Sequence, residues 1–116
     1  MLLSMLKSKL HRAVVTACRP DYEGSITIDS ALMKRVKLLH YEKVLVANLA
    51  NGNRFETYAI PAKAGSRTVC LNGAAALLGK PGDRVIVLAF CLLEKAKAAK
   101  HRPHILALDS TNRPKS

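Results

Sequence analysis

Arg84-Val85-Ile86-Val87-Leu88-Ala89-Phe90-Cys91 is a long apolar run set directly after the turn signal Lys80-Pro81-Gly82-Asp83. On its length and flanks it reads as a strand in the core of a sheet or barrel. Other short strands surround it. Lys43–Asn48 and Arg54–Ile60 flank the hairpin signal Asn51-Gly52-Asn53, and Pro61 is expected to end the second. Thr68–Leu71 follows the turn Gly65-Ser66. Ser25-Ile26-Thr27-Ile28 alternates polar with apolar, so a strand begins at or near Ser25. Leu6–Ala17 ends in the β-branched Val14-Val15-Thr16 and is closed by the turn Arg19-Pro20-Asp21; His104–Leu108 is the last strand. Two short helices are predicted. One is Ala31–Val36, behind an N-cap at Asp29 or Ser30, and the other is Gly73–Leu78, capped by Asn72. Glu94–Lys100 reads as a helical turn or two and Thr111–Ser116 as a loose tail. Many short strands with few helices make a small β-barrel.

The chain has 116 residues, which is one domain, 1–116, with a modest core. No apolar run reaches membrane-spanning length, and Lys7, Lys9 and His11 break the N-terminal apolar stretch too early for a signal peptide. A cytoplasmic location is the expectation. Cys18, Cys70 and Cys91 are isolated and odd in number, with no CxxC pair. They read as small hydrophobes rather than a disulfide framework or a metal site. The formal net charge of +11 points toward an anionic partner. A basic barrel that binds single-stranded nucleic acid is one reading. Two phenylalanines and three tyrosines leave little surface for stacking bases, which counts against it.

Polar segments recur where strands end or turn: Lys9-Leu10-His11, Tyr22-Glu23-Gly24-Ser25, Arg54-Phe55, Thr57-Tyr58-Ala59-Ile60 and Asn72-Gly73-Ala74-Ala75. Each alone is unremarkable, and Gly24-Ser25 by itself is an ordinary turn. In this order, with Asn51-Gly52, Gly65-Ser66, Gly82-Asp83 and Arg102-Pro103, the chain resembles the pyruvoyl-dependent aspartate 1-decarboxylases along essentially its whole length. The stretch Leu92–Arg102 is more basic than is typical of them.

The resemblance implies a mainly-β fold, a double-psi β-barrel with short helices, assembled as a homotetramer. It implies a proenzyme that cuts itself between Gly24 and Ser25 into a β chain, 1–24, and an α chain, 25–116, whether unaided or with a maturation factor. Ser25 would become the pyruvoyl group that condenses with the amine of L-aspartate and accepts electrons as carbon dioxide leaves. Neither pyridoxal phosphate nor a metal is then required, and the product is β-alanine for pantothenate. Thr57 would donate to the oxyanion formed during cleavage, a role worth about 3 kcal/mol in comparable sites. Tyr58 would return a proton to the α carbon, since a phenol holds its proton at neutral pH. Lys9 and Arg54 would bind the β-carboxylate, Arg54 through its planar fork. Asn72, Gly73, Ala74 and Ala75 would contact substrate at a helix start, while His11 and Tyr22 would support processing or orientation. Thr57 and Tyr58 are adjacent, so a regular strand sends them to opposite faces. Both serve one site only where the backbone bends or where the site spans a subunit boundary.

Overall fold

The computed structural model describes residues 1–115. Eight strands make one mixed sheet: β1 (Leu2–Val14), β2 (Ala17–Arg19), β3 (Ser25–Asp29), β4 (Lys43–Asn48), β5 (Arg54–Ala62), β6 (Val69–Asn72), β7 (Arg84–Glu94) and β8 (His104–Ala107). Helices α1 (Ser30–Arg35) and α2 (Lys95–Ala98) and a 3-10 helix, Gly73–Leu78, complete it.

The sheet order is β2-β6-β3-β5-β4-β7-β1-β8. β1 and β2 are thus six strand spacings apart along the ladder, about 29 Å in a flat sheet. Yet only Val15 and Thr16 link them, and three Cα steps span at most about 11 Å. The sheet must therefore curl until its ends meet, which is the barrel-like form. At the seam Val15 N–H donates to Asp83 O at 2.9 Å and Thr16 N–H to Val69 O at 2.7 Å. The interior is apolar: Leu10, Ile26, Ile28, Val44, Val46, Val69, Leu71, Val85 and Val87 are almost fully buried. β7 alternates as a half-buried strand should, with Val85, Val87 and Ala89 inward and Phe90 outward.

β4 forms as predicted, and Asp29 caps α1 by accepting from Ala31 N–H at 2.8 Å. β7 and β1 run further than predicted, to Glu94 and from Leu2, because they pair with each other there. That shortens the expected helical segment Glu94–Lys100 to Lys95–Ala98. β1 stops at Val14, and a separate β2 forms on β6 where the first strand was expected to run on to Ala17; the expected turn Arg19-Pro20-Asp21 follows it, closed by Tyr22 N–H on Arg19 O at 3.2 Å. Pro61 does not end β5. The strand pairs with β4 only through Tyr58 and passes to β3 from Ala59, so Pro61 lacks a neighbour on its β4 side and its missing N–H breaks no ladder.

The tail is not loose either, as far as its described residues go. Asn112, buried and at φ 60°, accepts from Val14 N–H at 2.6 Å and donates to Val14 O at 2.9 Å and to Arg67 O at 3.0 Å. Ser116, the last residue of that expected tail, lies outside the described residues. Cys70 is buried while Cys18 and Cys91 are half-buried, and all three are free thiols. No helix among the described residues is long and apolar enough to cross a membrane.

Candidate active site

Ser25 opens β3 and is buried, 1% exposed, although Gly24 before it is open to solvent. Its hydroxyl donates to Glu23 O at 3.2 Å and accepts from Asn72 Nδ2 at 2.9 Å. The same amide group donates to Thr27 Oγ1 at 2.8 Å, and its Oδ1 accepts from Cys70 Sγ at 3.2 Å. Asn72 was expected to cap a helix. It makes no capping bond, because it ends β6 directly opposite Ser25 and its side chain is drawn into this cluster. The helix behind it is a 3-10 turn of six residues, too short for an argument from a helix dipole.

Gly73 is where glycine is required. Its φ is +63°, and a Cβ there would lie 2.6 Å from both Gly24 Cα and Gly24 N and 2.8 Å from Tyr22 O. The start of the 3-10 helix is therefore laid directly on the Gly24 backbone, which only a residue without a side chain permits. A Cβ at Gly24 itself meets nothing within 4 Å outside its chain neighbours.

Beside Gly24 lies a cavity of about 350 Å³ lined by Phe55, Glu56, Thr57, Tyr58, Ala74, Ala75 and Leu78. Thr57 and Tyr58 both border it, which alternation alone would forbid. The register gives the reason. β3 begins at Ser25 and pairs with β5 only from Ala59, so residues 55–58 present an open strand edge toward Gly24. A cavity at an edge meets consecutive residues, whereas one on a face meets every second residue. The Tyr58 ring sits 6.0 Å from that of Tyr41, which stacks on His40 at 3.8 Å. A larger hollow of about 490 Å³ beside α1, lined by Met33, Lys34, Leu38 and Pro61 among others, includes none of the candidate residues.

Ser25, Asn72 and Gly73 adjoin Gly24 without lining this cavity, and four further predicted residues belong neither to its lining nor to that group. Arg54 is exposed at the start of β5, next to its lining. Lys9 lies on β1 between Leu88 and Ile105, three strands away from β5. His11, on the same strand, has a buried Nδ1 with no hydrogen-bond partner among the described residues. Burial, then the charges of Lys9, Arg12, Arg84 and Lys115, hold its pKa below the usual histidine value. Tyr22 is exposed, its hydroxyl accepting from Arg19 at 3.0 Å. Thr27 and Cys70 were not anticipated as site residues. Their only sequence signal is spacing: each lies two residues from Ser25 or Asn72 on a strand, hence on the same face. Among the described residues no group of three or more His, Cys, Asp or Glu could hold a metal ion.

The chain matches the aspartate decarboxylase family model over residues 1–115. It belongs to the aspartate decarboxylase family. It is 54% identical to an aspartate 1-decarboxylase of Salinibacter ruber, over 95% of this chain and 75% of that one. Identity to the aspartate 1-decarboxylase of Syntrophobacter fumaroxidans is 51%, over 97% and 90%. With that of Chlorobium phaeovibrioides it is 50%, over 99% and 90%.

Proposed function

We propose that this chain decarboxylates L-aspartate to β-alanine for pantothenate synthesis, using a pyruvoyl group made from its own Ser25. The observation that carries the reading is the meeting of Gly24 with Thr57, Tyr58, Ala74 and Ala75, next to the buried Ser25, in a member of this family.

Maturation needs only the chain and water. Ser25 Oγ adds to the Gly24 carbonyl carbon, the Gly24–Ser25 C–N bond breaks, and the hydroxyl proton passes to the freed nitrogen, leaving an ester. Loss of the Ser25 α proton then expels the Gly24 carboxylate by breaking the Oγ–Cβ bond. Water hydrolyses the resulting dehydroalanine and releases ammonia. Thr57 is assigned to the oxyanion of the first step. The fit of the segment to this chemistry is supported by Gly73, whose backbone presses on Gly24 without a side chain to block rearrangement.

The pyruvoyl group supplies an electron sink for decarboxylation. Tyr58 holds the phenolic proton that returns to the α carbon, and Ala74 and Ala75 leave room for substrate at the cavity wall. Arg54 and Lys9 are assigned to the β-carboxylate, Arg54 from the strand that lines the cavity and Lys9 from a neighbouring copy. A homotetramer is supported by exposed apolar side chains on the two strands that flank β1: Phe90 and Leu92 of β7 and Ile105 of β8 are 48%, 63% and 56% exposed. His11 and Tyr22 are left supporting roles outside the chemistry.

Intact-mass measurement of the purified chain should give two fragments split after Gly24, the larger blocked to N-terminal sequencing, with β-alanine formed from aspartate. Ser25→Ala should stay whole and inactive. Tyr58→Phe should cleave normally but decarboxylate roughly 100-fold more slowly. A wild-type chain that stays whole and inactive after warming, with a maturation factor supplied, would refute the reading.

A further inference from the structure

We propose that Thr27 and Cys70 are positioning residues for self-cleavage, holding the Asn72 side-chain amide with its NH2 group toward Ser25. The inference rests on the self-cleavage reading above. Ser25 faces Asn72, and Thr27 faces Cys70, across the antiparallel ladder of β3 and β6. The two-residue period puts all four on one face, while Ile26, Ile28, Val69 and Leu71 turn to the core. Thr27, Cys70 and Asn72 also line a cavity of about 270 Å³ shared with Arg19 and Tyr22, so the cluster does not serve to fill the barrel interior.

A carboxamide has two orientations of nearly equal shape but opposite polarity. Here Nδ2 gives both protons away, to Ser25 Oγ at 2.9 Å and Thr27 Oγ1 at 2.8 Å, and Oδ1 takes the Cys70 thiol proton at 3.2 Å. Flipped, Oδ1 would confront Ser25 Oγ and the NH2 would confront sulfur, a weak acceptor. Burial raises the Cys70 pKa, against the opposing charge of Arg19, so the thiol keeps the proton it donates.

The orientation matters because Ser25 Oγ takes up negative charge twice. It does so as its proton leaves during attack on Gly24, and again when the Oγ–Cβ bond breaks and the Gly24 carboxylate departs. An N–H donor stabilises that oxygen in both steps, whereas a carbonyl oxygen in its place would repel it. Thr27 and Cys70 touch no reacting atom and act only through Asn72.

The test is a time course of intact mass on freshly made full-length proenzyme. Thr27→Val and Cys70→Ala should each slow cleavage about 10-fold, below the roughly 100-fold or more expected when a donor is lost entirely. Thr27→Ser and Cys70→Ser restore the hydrogen-bonding groups and should cleave within about 3-fold of wild type. In an Asn72→Ala background neither Thr27→Val nor Cys70→Ala should slow cleavage further. Wild-type rates in both variants, equal slowing in the serine variants, or full slowing without Asn72 would each overturn the proposal. Should Cys70→Ala fail to fold, Thr27→Val against Thr27→Ser decides. A wild-type chain that never cleaves removes the self-cleavage reading itself; wild-type cleavage with unaffected variants removes this inference alone.

Discussion

A side chain at position 73 would collide with the segment that rearranges in the proposed self-cleavage. Gly73→Ala meets two penalties: a left-handed backbone, about 1–2 kcal/mol for an L residue, and a Cβ placed 2.6 Å from Gly24 backbone atoms that cannot swing aside as a flexible side chain could. The variant should lose several degrees of melting temperature and cleave slowly or not at all, as thermal unfolding and intact mass would record. His11 makes a prediction about pH. Its folded pKa is depressed, so above pH 6.5 both folded and unfolded forms are neutral and there is no penalty. As pH falls below that value the unfolded chain binds the proton first, and stability declines until the folded pKa is passed. Denaturant midpoints should therefore drop in mildly acid buffer, and His11→Gln should flatten that drop.

At the scale of elements, Asn112 stitches the C-terminal segment to the end of β1. Its side chain pairs with both backbone groups of Val14, as a strand neighbour would. Asn112→Ala leaves those groups and Arg67 O without partners and should cost about 2–3 kcal/mol, read as a lower denaturant midpoint at unchanged slope. None of this was legible beforehand. A single asparagine in a polar tail carries no periodicity, and its partners lie 98 and 45 residues away. Elements were legible where their own pattern sufficed: β4 by its apolar run, β3 by alternation, α1 by its cap. Elements went astray where pairing partners set the limits, as at Pro61 in β5 and at both ends of β1. The same division holds in the site. The motifs marked Gly24, Ser25, Thr57 and Tyr58, but the true bearing of Asn72, and any part for Thr27 and Cys70, depended on β6 lying beside β3. That ladder joins segments more than forty residues apart.

On the scale of the whole molecule, the segment 1–24 is woven into the barrel wall as two of its strands. β1 lies between β7 and β8, β2 pairs with β6, and Leu10, Ala13 and Val15 are buried in the core. Fragments produced by a cut after Gly24 should co-elute as one species in native gel filtration and part only in denaturant. Loss of 1–24 from native protein would contradict this topology. The seam at Val15 and Thr16 thus has a consequence beyond shape. Once it has closed, continuity of the backbone at 24–25 is redundant to the architecture, because ladders on both sides hold what that bond helped to build. Under the proposed maturation, the molecule treats one of its own peptide bonds as raw material.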